Sequence, residues 1–123
     1  MERGTHQTWF IPDMYLPAAS AEVPYVSHEA VCVLNASAQD ATLTLDLYFE
    51  DRDPLTGFTA CCAAKRTNHI RMDTLTNKDG LAAPRGVPYA AILRSDLPVV
   101  VQYTRVDTTP MQFSLMTTMA FPI

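Results

Sequence analysis

The stretch ATLTLDLYFED, residues 41–51, decides the fold class of this chain. Its apolar residues Leu43, Leu45, Leu47 and Phe49 fall at every second position. Successive side chains of a β-strand point to opposite faces, so a period of two predicts a strand with one buried face. We therefore expect this segment to lie in a sheet that packs on a core through its leucine face.

The segments that flank this strand repeat the alternation. The run AVCVLNA at residues 30–36 precedes it, and residues 37–40 have the composition of a turn. We predict that residues 30–36 and 41–51 pair as a β-hairpin. The other predicted strands cover residues 6–12, 58–72, 89–95, 98–108 and 112–121.

Proline and glycine separate these predicted strands. Residues 51–57 form a loop marked by both residue types, and residues 96–98 join two strands tightly. The longest loop covers residues 73–88, which contain two Gly and two Pro, and it includes one turn of helix near residues 73–75. The predicted chain thus has strands and turns but no long helix.

Short strands at this spacing are typical of an antiparallel sandwich or barrel. The chain has 123 residues, the length of one ordinary domain. We predict an all-β fold, a single-domain antiparallel β-sandwich over residues 1–123. It is expected to be jelly-roll-like, with about seven to eight short strands.

Composition restricts the classes of function. The formal net charge is −4, and nucleic acid is not an expected partner because non-specific binding to it rests on clustered positive charge. The sequence has no apolar stretch near the roughly 20 residues of a membrane helix, and its start lacks an apolar signal core. We expect a cytoplasmic protein.

The cysteines fit a reducing compartment. Cys61 and Cys62 are adjacent in sequence, which makes a bridge between them geometrically awkward, and Cys32 is left over. An odd count without a pattern suits the cytosol better than a disulfide framework. We expect all three thiols to be reduced.

Charged and polar side chains stand in phase on two predicted strands. In the first strand Lys65, Thr67, His69 and Arg71 share a face. In the second, Val99 and Val101 lead on the same face to Tyr103, Arg105 and Asp107. Tyr, Arg and Asp together supply a ring, a fork of donors and an acceptor, which suits ligand recognition. The alternative is a surface ion pair of Arg105 with Asp107, worth about 0–1 kcal/mol.

Metal binding and catalysis have weaker sequence support. His28 and Glu29 open a strand, but no HExxH or CxxC motif occurs, and we predict no metal and no cofactor. His69 with Glu29 would make an acid–base pair for a small hydrolase or isomerase, yet no nucleophile elbow or phosphate loop accompanies them. We expect a protein that is not an enzyme.

Five motifs together resemble a known family. They are Trp9, SHEAVCVLN at 27–35, YFEDRDP at 48–54, KRTNHIR at 65–71 and SDLPVVVQYTRVD at 95–107. In this order they resemble the Anabaena sensory rhodopsin transducer family, from about Trp9 to Ala120. The resemblance is loosest over the loop at 73–88, and Cys61 and Cys62 stand where ordinary strand residues are expected.

The resemblance implies a cytosolic β-sandwich that assembles as a cyclic homotetramer. It also implies either a signalling role with a membrane photoreceptor or other receptor, or binding of a small sugar-like molecule, since the sandwich is similar to carbohydrate-binding modules. The ligand-binding candidates that it implies are Trp9, His28, Glu29, Asn35, Arg66, His69, Arg71, Gln102, Arg105 and Asp107.

Three functions are therefore open for this chain. The first is a non-enzymatic signal-transducer or binding module that acts as a homo-oligomer. The alternative is a stand-alone small-molecule sensor, and the third is the hydrolase or isomerase that uses His69 and Glu29. The sequence leaves open whether the polar residues near Glu29 form a ligand pocket or a structural or intersubunit network.

Overall fold

The structure, a computed structural model, describes residues 6–18, 26–108 and 113–123. In these ranges the chain forms strands and turns without a helix, as the period of two predicts. No helix in the described ranges is long and apolar enough to cross a membrane. The strands are β1 (His6–Tyr15), β2 (His28–Asn35), β3 (Ala41–Phe49), β4 (Leu55–Cys62), β5 (Arg66–Arg71), β6 (Pro88–Asp107), β7 (Ser114–Met119) and β8 (Phe121–Pro122).

All strand pairs are antiparallel, and they form two sheets that share β6. The first sheet has the order β4-β3-β6-β1-β8, and it uses the first half of β6. The second sheet has the order β5-β2-β6-β7, and it uses the second half. The predicted all-β antiparallel sandwich is confirmed.

The prediction of two strands over 89–95 and 98–108 was wrong, since β6 runs through the predicted join as one strand of 20 residues. Ser95 still pairs with Leu43 in the first sheet, whereas Val100 already pairs with Leu34 in the second. Between them Asp96 accepts hydrogen bonds from Gln7 and from the backbone N–H of Thr42. The turn-forming residues thus mark the place where one strand changes sheets.

The predicted β2–β3 hairpin was also wrong, because the two strands lie in different sheets. β2 pairs with β5 and β6, whereas β3 pairs with β4 and β6. The turn between them carries the chain from one layer to the other. The buried Asn35 side chain holds this turn, since it accepts from the N–H of Ser37 at 3.0 Å and donates to the carbonyl oxygens of Gln39 and Cys62 at 2.7 and 2.9 Å.

The extended segment predicted over 58–72 is divided into β4 and β5 by a turn at residues 64–65. Lys65 has a φ of 54°, in the left-handed region that a tight turn requires. The helical turn predicted near 73–75 corresponds to one turn at residues 72–74, which is closed by a hydrogen bond from the N–H of Leu75 to the carbonyl of Arg71 and is not continued into a helix.

The core lies between the two sheets. Leu43, Leu45 and Leu47 have no exposed surface, so the face read from the period of two is buried. Opposite them the inner face of the second sheet supplies Val31 and Val33 together with residues of β6. The apolar residues of β7 and β8 are exposed instead.

Candidate functional site

His28 and Glu29, the first two residues of β2, point to opposite faces of the second sheet. Glu29, Val31 and Val33 are buried, while the residues that alternate with them, His28, Ala30 and Cys32, are half-exposed. This follows from the alternation of side chains along a strand. The structure therefore contains two separate groups of polar residues, one inside the sandwich and one outside.

The inner group is built around the carboxylate of Glu29, which has no exposed surface. Its Oε2 accepts a hydrogen bond from the backbone N–H of Tyr15 at 2.9 Å, and its Oε1 accepts one from the Tyr89 hydroxyl at 2.5 Å. The Tyr103 hydroxyl donates a further bond to Oε2. A buried carboxylate needs such donors because its desolvation is costly.

Arg105 closes this group at the end of the sandwich. Its Nε donates to the Tyr103 hydroxyl at 3.0 Å and lies 4.0 Å from Oε2 of Glu29. Its Nη2 lies 3.5 Å from a carboxylate oxygen of Asp13, and its guanidinium stands 5.9 and 5.7 Å from the ring centroids of Tyr15 and Tyr103. Glu29, Tyr89, Tyr103 and Arg105 are called the Glu29 cluster below.

The electrostatics of the Glu29 cluster keep its tyrosines protonated. Burial and the neighbouring Glu29 carboxylate raise the pKa of Tyr89 and of Tyr103 well above the usual tyrosine value. Both hydroxyls therefore act as donors to Glu29 rather than as bases. Chemically the cluster is a saturated network of buried hydrogen bonds, which favours a structural role.

The outer group lines a cleft of about 360 Å³ across three neighbouring strands. Its residues are His28, Ala30 and Cys32 of β2, His69 and Arg71 of β5, and Gln102 and Thr104 of β6. We call it the outer cleft.

The register explains how these side chains meet. Cys32 pairs with His69 on one side and with Gln102 on the other, and Ala30 pairs with Arg71. The small Ala30 side chain leaves room between longer neighbours, which produces the concavity.

Several groups of the outer cleft are already engaged. Arg71 donates from Nε and Nη2 to the two carboxylate oxygens of Asp73, both at 2.8 Å. Nδ1 of His28 lies 3.2 Å from the carbonyl of Val26. Burial raises the pKa of the Cys32 thiol, against a smaller opposite effect of Thr104, so the thiol stays protonated.

The structure distributes the ten predicted site residues over several places. His28, His69, Arg71 and Gln102 meet in the outer cleft, and Glu29 meets Arg105 in the Glu29 cluster. Asp107 ends β6 opposite Ser114. The other three residues lie elsewhere, namely Trp9 in the core, Asn35 in the crossover turn and Arg66 on the exposed surface.

The acid–base pair considered for a hydrolase does not form. Glu29 is buried on the inner face of the second sheet, and His69 is exposed on its outer face. Across the described ranges no three His, Cys, Asp or Glu side chains come together as a metal site would require.

Tyr89 is the member of the Glu29 cluster that sequence reasoning missed. Tyr103 stands in phase with Arg105, but Tyr89 lies at the start of a run with apolar neighbours and is easily taken for core. The available signal is Glu29 itself, because a carboxylate on the apolar face of a strand requires buried donors.

Comparisons with known proteins agree with this fold. The family model described as Anabaena sensory rhodopsin transducer matches residues 4–122. The crystal structure of Thermotoga maritima 1070 is 30% identical, with a TM-score of 0.82, over 99% of this chain and 97% of that chain. The structure of the Anabaena sensory rhodopsin transducer is 33% identical, with a TM-score of 0.74, over 84% of this chain and 90% of that chain. No match was found among curated protein sequences.

Proposed function

Because this chain belongs to the Anabaena sensory rhodopsin transducer family, as its motifs predicted, we propose that it is a non-enzymatic signal-transducer module of the cytoplasm that acts as a homo-oligomer. It acts by binding, and the sandwich presents surfaces to copies of itself and to a receptor. A ring of four protomers is the assembly that we propose.

The observation that carries this proposal is the exposed apolar end of the chain. Leu115 is 75% exposed and Ile123 is 70% exposed. Soluble monomers seldom expose large apolar patches, so the exposed apolar residues at this end of the chain are suited to contact with another protein. We call them the C-terminal apolar surface, made of Phe113, Leu115, Met116, Met119, Phe121 and Ile123.

The backbone of β7 supports the same conclusion. In the described ranges β7 pairs with β6 along one side, and its other side forms the edge of the second sheet. An edge strand with apolar side chains on both faces aggregates unless a partner covers it. An apolar groove of about 300 Å³ lies beside β7 and can accept a side chain of a partner. Its lining includes Ile11, Met116, Met119 and Phe121.

The arrangement of ionisable groups supports a non-enzymatic role. The Glu29 carboxylate is saturated by donors and shielded from solvent, so it is a poor general base. The exposed His69 has no carboxylate orienting it among the described residues. A positioned nucleophile and base would be needed for hydrolysis.

Receptor binding tests the transducer function. The protein is passed over lipid nanodiscs that contain a sensory rhodopsin, in darkness and under illumination, with empty nanodiscs as the control. We expect saturable binding whose strength differs between the two states. Equal signals from loaded and empty nanodiscs would contradict the receptor role.

A second function is favoured by the outer cleft, namely a stand-alone sensor of a small molecule. The His69 ring and the Gln102 carboxamide face this cleft and have no side-chain hydrogen-bond partner among the described residues. Polar groups that converge on a cavity in this way are typical of ligand sites. A ligand would stabilise the fold in proportion to RT ln(1 + [L]/Kd), which a thermal-shift screen detects.

A further inference from the structure

The outer cleft is unusual in its balance of charges. Two of the three histidines of the chain and one arginine line it, in a protein whose formal net charge is −4. No Asp or Glu is among the described side chains that line it. In the cleft the Arg71 guanidinium offers donors only, and the histidine rings and the Gln102 carboxamide each supply donors as well.

Three of these donor groups are not used by the fold. Nη1 of Arg71, the His69 ring and the Gln102 side chain make no hydrogen bond to any described residue. By contrast the Thr104 hydroxyl is engaged by Thr117 at 2.5 Å. The unused groups surround one spot, because His69 and Gln102 flank Cys32 and Arg71 stands beside Ala30 on the same face.

Asp73 holds the Arg71 side chain in position. Its carboxylate, in a side chain that is 8% exposed, accepts hydrogen bonds from Nε and Nη2 of Arg71 and leaves Nη1 without a partner among the described residues. A side chain that is already held loses little entropy when it binds a ligand. Asp73 also neutralises the charge of Arg71, so recognition depends on directed hydrogen bonds more than on long-range attraction.

We propose that the outer cleft binds the oxyanion group, a carboxylate or a phosphate, of a small metabolite through Arg71, His69 and Gln102. This inference rests on the second function proposed above and names its ligand class. A carboxylate or phosphate offers only acceptors, which match the unused donors. A neutral sugar presents hydroxyl donors as well, and the cleft lacks the carboxylates that usually accept them.

The test is an NMR titration of the full chain labelled with nitrogen-15. Inorganic phosphate, acetate and glucose are added separately, and sodium chloride keeps the ionic strength constant. We expect saturable shifts at the amides of Cys32, His69, Arg71 and Gln102 with phosphate or acetate, and none with glucose. The anion that saturates at lower concentration identifies the source of the oxyanion.

Two cleft variants and one control variant locate the effect. Arg71→Gln removes the donor from the cleft and should weaken anion binding about tenfold or more, the scale for a charged hydrogen bond. Arg94→Gln is the matched control, because Arg94 is also half-exposed and pairs with a carboxylate, Asp46, at 2.9 Å, but lies on the first sheet. It should leave binding unchanged. His69→Gln is a second test that does not disturb the Asp73 pair.

Each outcome decides the matter. Saturable anion shifts that are weakened in Arg71→Gln and His69→Gln but kept in Arg94→Gln support the proposal. Shifts that do not saturate, or that persist in both cleft variants, overturn it. A response to glucose without one to either anion overturns the oxyanion assignment and leaves the sensor function standing. The receptor measurement is independent of all these results.

Discussion

The hydroxyl of Tyr89 donates a 2.5 Å hydrogen bond to Oε1 of Glu29, although 60 residues separate the two in sequence. The bond joins the first sheet, where Tyr89 pairs with Phe49, to the second, where Glu29 pairs with Arg105. A buried polar contact therefore links the two layers near one end of the sandwich. It accounts for a glutamate at the start of an apolar strand.

The first prediction concerns the carboxylate of Glu29. Glu29→Ala leaves two buried tyrosine hydroxyls and the backbone N–H of Tyr15 without their acceptor and removes the negative charge beside Arg105, so it should lower the free energy of unfolding by about 3–5 kcal/mol. Glu29→Gln keeps the volume and one acceptor, so the loss should be about 1–3 kcal/mol. Denaturant unfolding measures both. A Glu29→Gln variant as stable as the wild type would contradict a structural role for the charge of Glu29.

The second prediction separates structural and ligand-binding roles of Arg105. Lysine keeps the charge but loses the planar fork that reaches Tyr103 and Asp13. Since the side chain is only 19% exposed and its contacts lie within the chain, Arg105→Lys should lower stability by about 1–3 kcal/mol.

The matched control for Arg105 is Arg94→Lys, at an exposed ion pair, which should change stability by less than about 0.5 kcal/mol. Thermal melts of both variants provide the comparison. An unchanged melt for Arg105→Lys, together with lost stabilisation by a small molecule, would assign Arg105 to a ligand site instead.

The third prediction is an alkaline loss of stability. The folded-state pKa of Tyr89 and Tyr103 is raised by burial and by Glu29, so unfolding releases protons above the ordinary tyrosine pKa of about 10. The contribution of both groups is complete below that pH and falls as pH rises beyond it. Tyr89→Phe should reduce the slope of stability against pH in the alkaline range. An identical slope would show that the hydroxyl is not coupled to folding.

The fourth prediction concerns the thiols. Cys32, Cys61 and Cys62 are all free, and titration of the unfolded, unreduced protein should find three thiols. In the folded protein the exposed Cys61 should be alkylated first. Burial raises the pKa of Cys32 and Cys62, so their thiolates form only at higher pH and they react more slowly.

Mass spectrometry after timed alkylation distinguishes the three sites. Cys61→Ser should remove the fast phase and leave the slow ones. Fast labelling of Cys62 in the folded protein would contradict the packing of β4 against the core.

Sequence alone was sufficient to identify β3 as a strand and to assign its buried face. The leucines of β3 revealed a half-buried strand because period two is a property of neighbouring residues. The same alternation does not identify the strand with which β3 pairs. The alternation in β2 and β3 is the same whether the two strands pair with each other or lie in opposite sheets. The Asn35 contacts that hold the crossover between the sheets involve Cys62, 27 residues away in sequence.

The site was only partly predictable for the same reason. Phase along a strand correctly placed His69 with Arg71, and Tyr103 with Arg105. His28 and Glu29 were predicted to belong to one polar cluster. They lie on opposite faces of the sheet because neighbouring side chains on a strand point in opposite directions. The tyrosine hydroxyls that donate to Glu29 come from residues 60 and 74 positions away, and no local pattern specifies such contacts.

Assembly through the C-terminal apolar surface is the central claim, and light scattering coupled to size exclusion tests it most directly. At micromolar concentration the wild-type protein should have the mass of four protomers, since a single chain leaves Leu115 and Met119 exposed. Leu115→Asp together with Met119→Asp should yield a folded smaller species, whereas Thr44→Asp, on the exposed face of β3, should not change the mass. A wild-type mass of one protomer would contradict the account.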